Sequence, residues 1–514
     1  MSATILIVFA VIAFILGYLF YGRYISKKLG IDPNRETPAY SMRDNVDYVP
    51  AKTPVLLGHH FASIAGAAPI IGPVTAVVFG WLPVFLWIIL GSIFIGAVHD
   101  FTSLIASVRH NGQSIGKVIE AQIGQRGKQL FLIFSWATLV LIIAAFTILV
   151  AKTFVMTPAV ATASILFIVL AIMFGFSIYR TNTPLGIATV IGVFLLLLCV
   201  WVGVKFPFIV SADKVFAQQI WTWVLMAYIF AASVTPVWIL LQPRDYLNSF
   251  LLYLVLFGGF VGIIFSNPTV QFPVFTHFID PKLGLIFPIL FVTVACGAIS
   301  GFHSLVASGT TSKQLNNEKN AQPIGYGAML IEGLLAVIAL ITVAILLKSD
   351  YTTKFAAEGP IKLFSNGVGS FVEKIGVPLN VGITFAALAV SAFALTSLDT
   401  ATRLGRFAFQ EFFRSENQTP AQNLLTNRFV ATIFTVLPAS ILALSRSYTA
   451  IWPIFGAANQ LLAALALLTG SVWLAKKQQQ NNFLRYPMYF TVSYTHLRAH
   501  ETSLHLVCRL LLEK

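Results

Sequence analysis

Charged side chains are scarce in this chain. Only 10% of its 514 residues are Asp, Glu, Lys or Arg, where a soluble globular domain carries about 25%. A fold with a water-covered surface is therefore excluded. Cysteine is nearly missing as well: Cys199 and Cys296 lie inside apolar runs and Cys508 near the end. That leaves no disulfide framework and no Cys-based metal site. There is no Walker loop, HExxH, GxSxG or dinucleotide fingerprint, so the usual enzyme signatures and cofactor sites are lacking. Without a P-loop, uphill solute movement has to be driven by an ion gradient. Apolar and polar residues do not alternate with period two, which excludes a transmembrane β-barrel.

What the chain has is hydrophobic residues, 57% of the total, gathered into continuous runs of the roughly 20 residues that cross a bilayer as a helix. Thirteen such segments are predicted, near 3–22, 54–80, 83–108, 129–151, 160–178, 184–206, 219–241, 247–266, 284–310, 325–347, 381–405, 428–446 and 451–475. The class is an all-α polytopic membrane protein. The first run is too long for a signal h-region and lacks a basic flank and cleavage site, so it reads as a membrane helix. The net charge is +14. In a soluble protein this would point to nucleic acid. Here the cations sit in short loops after every odd-numbered segment, among them Arg23, Lys27, Arg109, Lys117, Arg180, Arg244, Lys313, Arg403, Arg406 and Lys476. That pattern encodes topology rather than a nucleic-acid partner: these loops face the cytoplasm and the N-terminus lies outside. The loop 348–380 also carries lysines, but it is longer and diluted by acids.

The second segment is interrupted. Residues 54–73 read PVLLGHHFASIAGAAPIIGP, with prolines and glycines breaking an otherwise apolar helix. In hydrocarbon such a break survives only where it lines a cavity or is buried in protein, and interrupted helices of this kind build the midplane sites of secondary transporters. The free backbone at Gly66, Ala67, Ala68 and Pro69 is a candidate substrate site. Amides there suit a carboxylate, while the alternative is a packing kink. The seventh segment carries Ser233, Thr235 and Pro236, a second expected interruption five segments later and opposite in direction. The pair fits a five-plus-five inverted repeat, residues 54–206 and 219–405, preceded by one extra helix.

Ionisable groups at membrane depth are expensive and are functional candidates by default. His59 and His60 precede the first break and suit proton coupling, or donate to carbonyls that the break frees. Adjacent residues cannot share a helix face. His99 and Asp100 lie near the end of the third segment, on a proton path or pairing with a loop cation. His303, Ser308, Thr310 and Thr311 lie in the ninth, where clustered hydroxyls can ligate Na⁺ or satisfy their own helix. Asp399 and Arg403 stand at i, i+4 and read as a mutually neutralising pair. Glu332 has no local cation. Residues 491–514 are polar and His-rich and read as an atypical, non-native tail rather than a metal site, leaving 1–490 as the transporter domain.

Several motifs resemble the carbon starvation protein A family: GHHFASIAGAAPIIGP at 58–73, FIGAVHDF at 94–101, GAISGFH at 297–303, SGTTSKQ at 308–314, SLDTATR at 397–403 and WPIFGAANQ at 452–460. They cover roughly residues 1–490. The resemblance implies a multi-pass carrier in the bacterial inner membrane that takes up small carbon sources on starvation, peptides or pyruvate, with a LeuT-like fold of the amino acid–polyamine–cation superfamily. It implies H⁺ or Na⁺ as coupling ion, a substrate site at the broken helices and a cation site near the ninth segment. Family members usually continue with further membrane helices where the odd tail stands here. The acids available at depth, Asp100, Glu332 and Asp399, lie outside the two expected breaks, which tilts the reading toward a small carboxylate. A nutrient sensor without net transport is the alternative.

Overall fold

The computed structural model describes all residues except 182, 416–417, 446–447 and 513–514, and all side chains of these except 448–450, 452–453 and 498–512. Among the described residues long helices dominate, with one hairpin of two-residue strands, Ile279–Asp280 with Gly284–Leu285. Among the described residues, ten helices are long and apolar enough to cross a membrane, or eleven with the bent pair Thr53–Ile64 and Ala68–Phe79 counted as one span. The other two expected segments are also helical. One is broken into Ile286–Thr293, Ala295–Ala298 and Gly301–Gly309, and the other, Arg428–Leu444, is short at 17 residues.

Two expectations are corrected. The seventh segment is an unbroken helix, Lys214–Val234, and Pro236 falls in the connection to Leu241–Ser266. Beyond a helix end a proline costs nothing, because no i→i−4 bond is lost there. The second broken span is instead the ninth, so the five-segment spacing behind the repeat argument is not that of the breaks. The expected loop 348–380 contains the helix Lys348–Glu373, kinked at Gly359 and Pro360. Its polar composition hid it, but one face, with Leu363, Phe364, Val368 and Phe371, is buried.

Turn chemistry sets the joints. Gly80, at φ 109°, separates Ala68–Phe79 from Trp81. A side chain rarely adopts that conformation, and a Cβ there would stand 2.5 Å from the Val274 carbonyl. The molecule has two distinct ends. At one, the Val270 amide donates to the Met1 carbonyl and that of Gln271 to Ala344, each at 2.9 Å. At the other, Arg109 Nε pairs with Glu318 at 2.7 Å and Lys476 Nζ donates to the Gln122 carbonyl at 2.6 Å. Arg109, Lys28, Lys313 and Lys476 gather at this second end, against Gly30, Gln480, Tyr48 and Gln122. The helix Asn482–Leu512 folds back on the bundle, with Tyr494 buried and donating to Gln460.

Candidate functional site

The first break lies at Ala65–Ala67, and the two halves meet at 44°. The freed Ser63 carbonyl accepts from Ser397 Oγ at 3.0 Å, and Ser63 Oγ meets Thr400 Oγ1 at 3.1 Å. The second break, at Ile299–Ser300, has extended backbone. Ser92 Oγ donates to the Gly297 carbonyl at 2.9 Å, Gln460 Nε2 to the Ile299 carbonyl at 3.1 Å, and Asn459 Oδ1 accepts the Phe302 amide at 2.8 Å. Asn459 thus caps the helix Gly301–Gly309 from outside. Both breaks are buried in protein, and these contacts satisfy the Ser63, Gly297 and Ile299 carbonyls and the Phe302 amide, as hydrocarbon demands.

A buried ionic network surrounds the helix Thr53–Ile64. His59 Nδ1 donates to Asp245 Oδ2 at 2.7 Å. Arg244 bridges two carboxylates: Nη2 donates to Asp245 at 3.0 Å and to Thr396 at 3.1 Å, while Nη1 reaches Asp399 and Tyr228. The Tyr228 hydroxyl donates to Asp399 at 2.6 Å, and Asp399 Oδ1 has no partner among the described residues. His59, Asp245 and Asp399 are fully buried and Arg244 is 1% exposed. One guanidinium therefore pairs with two acids inside the bundle, which leaves one negative charge in excess and is tolerable only because each charged group has a hydrogen-bonded partner.

His60 leaves by another face, as adjacent helical residues must, and its Nδ1 lies 2.8 Å from Thr311 Oγ1. Ser308 and Thr310 donate to Ser304 and Val306, carbonyls of their own helix. Of the three hydroxyls only Thr311 turns to a histidine. Asp100 accepts from His99 Nδ1 at 2.7 Å and His303 Nδ1 at 3.0 Å. Ser233 Oγ lies 3.3 Å from Thr432 Oγ1, and Thr235 donates to Ala231, both at the end of the unbroken seventh helix. The i, i+4 pairing of Asp399 with Arg403 is replaced. Asp399 takes Arg244, and Arg403 Nη1 reaches Asp47 at 2.7 Å, while its Nη2 caps Ala232 and Thr235. A long-range partner of opposite charge wins over the helical neighbour. Sequence reasoning passed over Asp245, Tyr228 and Asp47. Arg244 was counted only as a loop cation, because its helix starts at Leu241, well before the apolar run that marked the span.

The family model for the carbon starvation protein CstA matches residues 2–354 and 348–498. The chain belongs to the CstA family. It is 33% identical to the peptide transporter CstA of Escherichia coli (strain K12), over 93% of this chain and 78% of that one. It is 32% identical to the pyruvate/proton symporter BtsT of the same organism, with the same coverage. The peptide transporter CstA of Bacillus subtilis (strain 168) is 32% identical over 94% of this chain and 87% of its own length. Among solved structures, a manganese transporter of Eremococcus coleocola, bound to an aromatic bis-isothiourea compound, superposes with a TM-score of 0.47 at 14% identity, covering 89% of each chain.

In this CstA-family membrane transporter the basic end carries a latch. Asp47 accepts from Arg403 and, at 3.3 Å, from Arg406. Burial alone would raise its carboxyl, but Arg406, Arg403 and Lys313 together hold it below its ordinary value of 3.8. A depressed folded value contributes stability above the unfolded value, lost as pH falls through the folded one. Thermal melts of the detergent-solubilised protein should therefore show an acid-side loss below pH 3.8 that Asp47→Asn diminishes. An identical acid limb in the variant would refute the latch.

Proposed function

We propose that this chain is a proton-coupled carrier for a small carboxylate, with pyruvate as the substrate. In this reading it sits in a bacterial cytoplasmic membrane with its N-terminus outside and its basic end in the cytoplasm, the orientation the positive-inside rule favours. The observation that carries the reading is Arg244, a buried guanidinium held by Asp245 and Asp399 beside the first broken helix. A proton arriving on Asp399 removes one of the two anions and leaves half of a planar fork for a substrate carboxylate, the geometry that arginine matches best. Loss of that proton toward the cytoplasm returns Asp399 to Arg244 and expels the anion. Proton and substrate are then taken together because the net charge of the site is the same with Asp399 ionised as with Asp399 neutral and the substrate anion bound. His59, hydrogen-bonded to Asp245, supplies a titratable neighbour suited to proton delivery.

A peptide is the second candidate, since relatives are named for peptide transport. Its ammonium would need a carboxylate, yet Asp245 and Asp399 are committed to Arg244 and Asp100 to two histidines, and Glu332, the acid left over, stands against His303 rather than beside Arg244. Sodium draws less support than the proton, because Ser308 and Thr310 are turned to their own helix carbonyls. The sensor alternative gains nothing from relatives named as transporters. The transporter domain is taken as residues 1–490, as the motifs suggest. The test is labelled pyruvate uptake into proteoliposomes. An inward proton gradient should drive accumulation that a protonophore collapses. Accumulation driven by Na⁺ alone, or of a dipeptide but not pyruvate, would overturn the reading.

A further inference from the structure

A second buried ionisable group stands apart from Arg244. Its members come from three elements: His99 and Asp100 from Trp81–Val108, His303 from Gly301–Gly309 and Glu332 from Glu318–Ala344. All four are at most 1% exposed. Asp100 receives Nδ1–H from both histidines. The Glu332 carboxyl lies 3.4 Å from His303 Nε2, and neither of its oxygens has a hydrogen-bond partner among the described residues. The Nε2 atoms of His99 and His303 are likewise unpartnered. The other titratable groups facing this cluster are His60 from Thr53–Ile64 and the Cys296 thiol from Ala295–Ala298.

The contrast with the first network lies in what balances the charge. There, Arg244 supplies a permanent cation. Here no Arg or Lys forms an ion pair with Asp100 or Glu332 among the described residues. Two carboxylates and two neutral imidazoles would be a bare double negative charge out of water, which is not sustainable without a counter-charge. Only protons are at hand to neutralise it, on the imidazoles or on Glu332. Asp100, accepting twice, is the ionised member. Glu332 as the neutral acid would donate to His303 Nε2. The group is therefore a proton store whose occupancy depends on how close His303 stays to Glu332. His303 rides on the short helix that begins at the second break, while Glu332 rides on a continuous one. A shift of the broken span changes that separation directly.

Resting on the proton-symport reading above, we infer that His99, Asp100, His303 and Glu332 form a second proton-carrying site, loaded and emptied in each cycle. More than one proton then accompanies each substrate anion, and the cycle carries net positive charge.

The test is pyruvate flux in proteoliposomes under a fixed pH gradient, with the potential set by K⁺ and valinomycin. Wild type should couple about two protons to each anion, and an inside-negative potential of about 100 mV should raise accumulation roughly 50-fold for one net charge. Glu332→Gln should transport with about one proton per anion and lose the voltage effect, and Glu332→Asp should restore it. A mere structural role would lower flux without altering voltage dependence. Wild-type uptake that is pH-driven but voltage-insensitive overturns this inference and leaves the symport reading standing. Absence of pH-driven uptake in the wild type overturns the symport reading itself. Should Glu332→Gln lose net flux, pyruvate counterflow, which needs no net proton movement, should persist. Loss of both in folded protein, or an unchanged voltage effect in a transporting variant, excludes the second site.

Discussion

Arg244→Gln should abolish pyruvate uptake and lower the stability of the protein by roughly 3–5 kcal/mol, the cost of removing one partner from a buried charge network. Asp245 and Asp399 would both lose their cation, and Thr396 and Tyr228 a donor. Arg244→Lys is the sharper variant. A lysine keeps the charge but offers a point rather than a fork, so it cannot hold Asp245 through one nitrogen and Asp399 through the other. It should fold better than the Gln variant and still transport poorly. Thermal unfolding in detergent and uptake in proteoliposomes read the two effects separately. Wild-type uptake by Arg244→Gln would remove this residue from the site.

The second large effect is expected at Gly301, the first residue of the helix that carries His303. A Cβ there would run into the Asn459 carbonyl, the Leu462 Cβ and the Ala463 amide. These belong to the continuous helix Tyr448–Lys476, which cannot yield locally. Overpacking of this sort costs about 1–3 kcal/mol, and the only relief is to push Gly301–Gly309 away. That would pull the Phe302 amide from Asn459 and move His303 relative to Asp100. Gly301→Ala should therefore lower both thermal stability and uptake. Gly186, with nothing within 4 Å of its Cβ position, is the control. Gly186→Ala should stay within about 0.5 kcal/mol of wild type. Equal melts for the two variants would contradict the close packing of the second break.

Much of this was legible in the chain itself. Apolar runs of membrane length located the ten helices long and apolar enough to cross a membrane among the described residues and the bent pair beside them, and the prolines and glycines of 58–73 marked the first break, because their effect on a helix is local. His59, His60, Asp100 and His303 stood out because charge at depth is costly wherever it occurs. The second break was harder. Pro236 was a loud signal in the wrong place, while Ile299 and Ser300 unwind without any proline. They do so because Ser92, Asn459 and Gln460, distant in sequence, satisfy their backbone. The motif containing Asn459 and Gln460 was visible, but its role was not. Ion pairing failed for the same reason. Asp399 and Arg403 are perfect helical neighbours, yet tertiary contacts gave Asp399 to Arg244 and Arg403 to Asp47. Arg244 and Asp245 were missed because they occupy the polar first turn of an apolar helix, where a cation ordinarily belongs to the loop.

Symport of this kind requires one linkage, that pyruvate binds Arg244 only as Asp399 takes a proton. Calorimetric titration of pyruvate into the solubilised protein, in buffers of different ionisation enthalpy, counts protons taken up on binding. Wild type should take up about one proton more per pyruvate than Asp399→Asn, which is already neutral at that position. Pyruvate binding without proton uptake in the wild type, or an unchanged count in Asp399→Asn, would contradict the account.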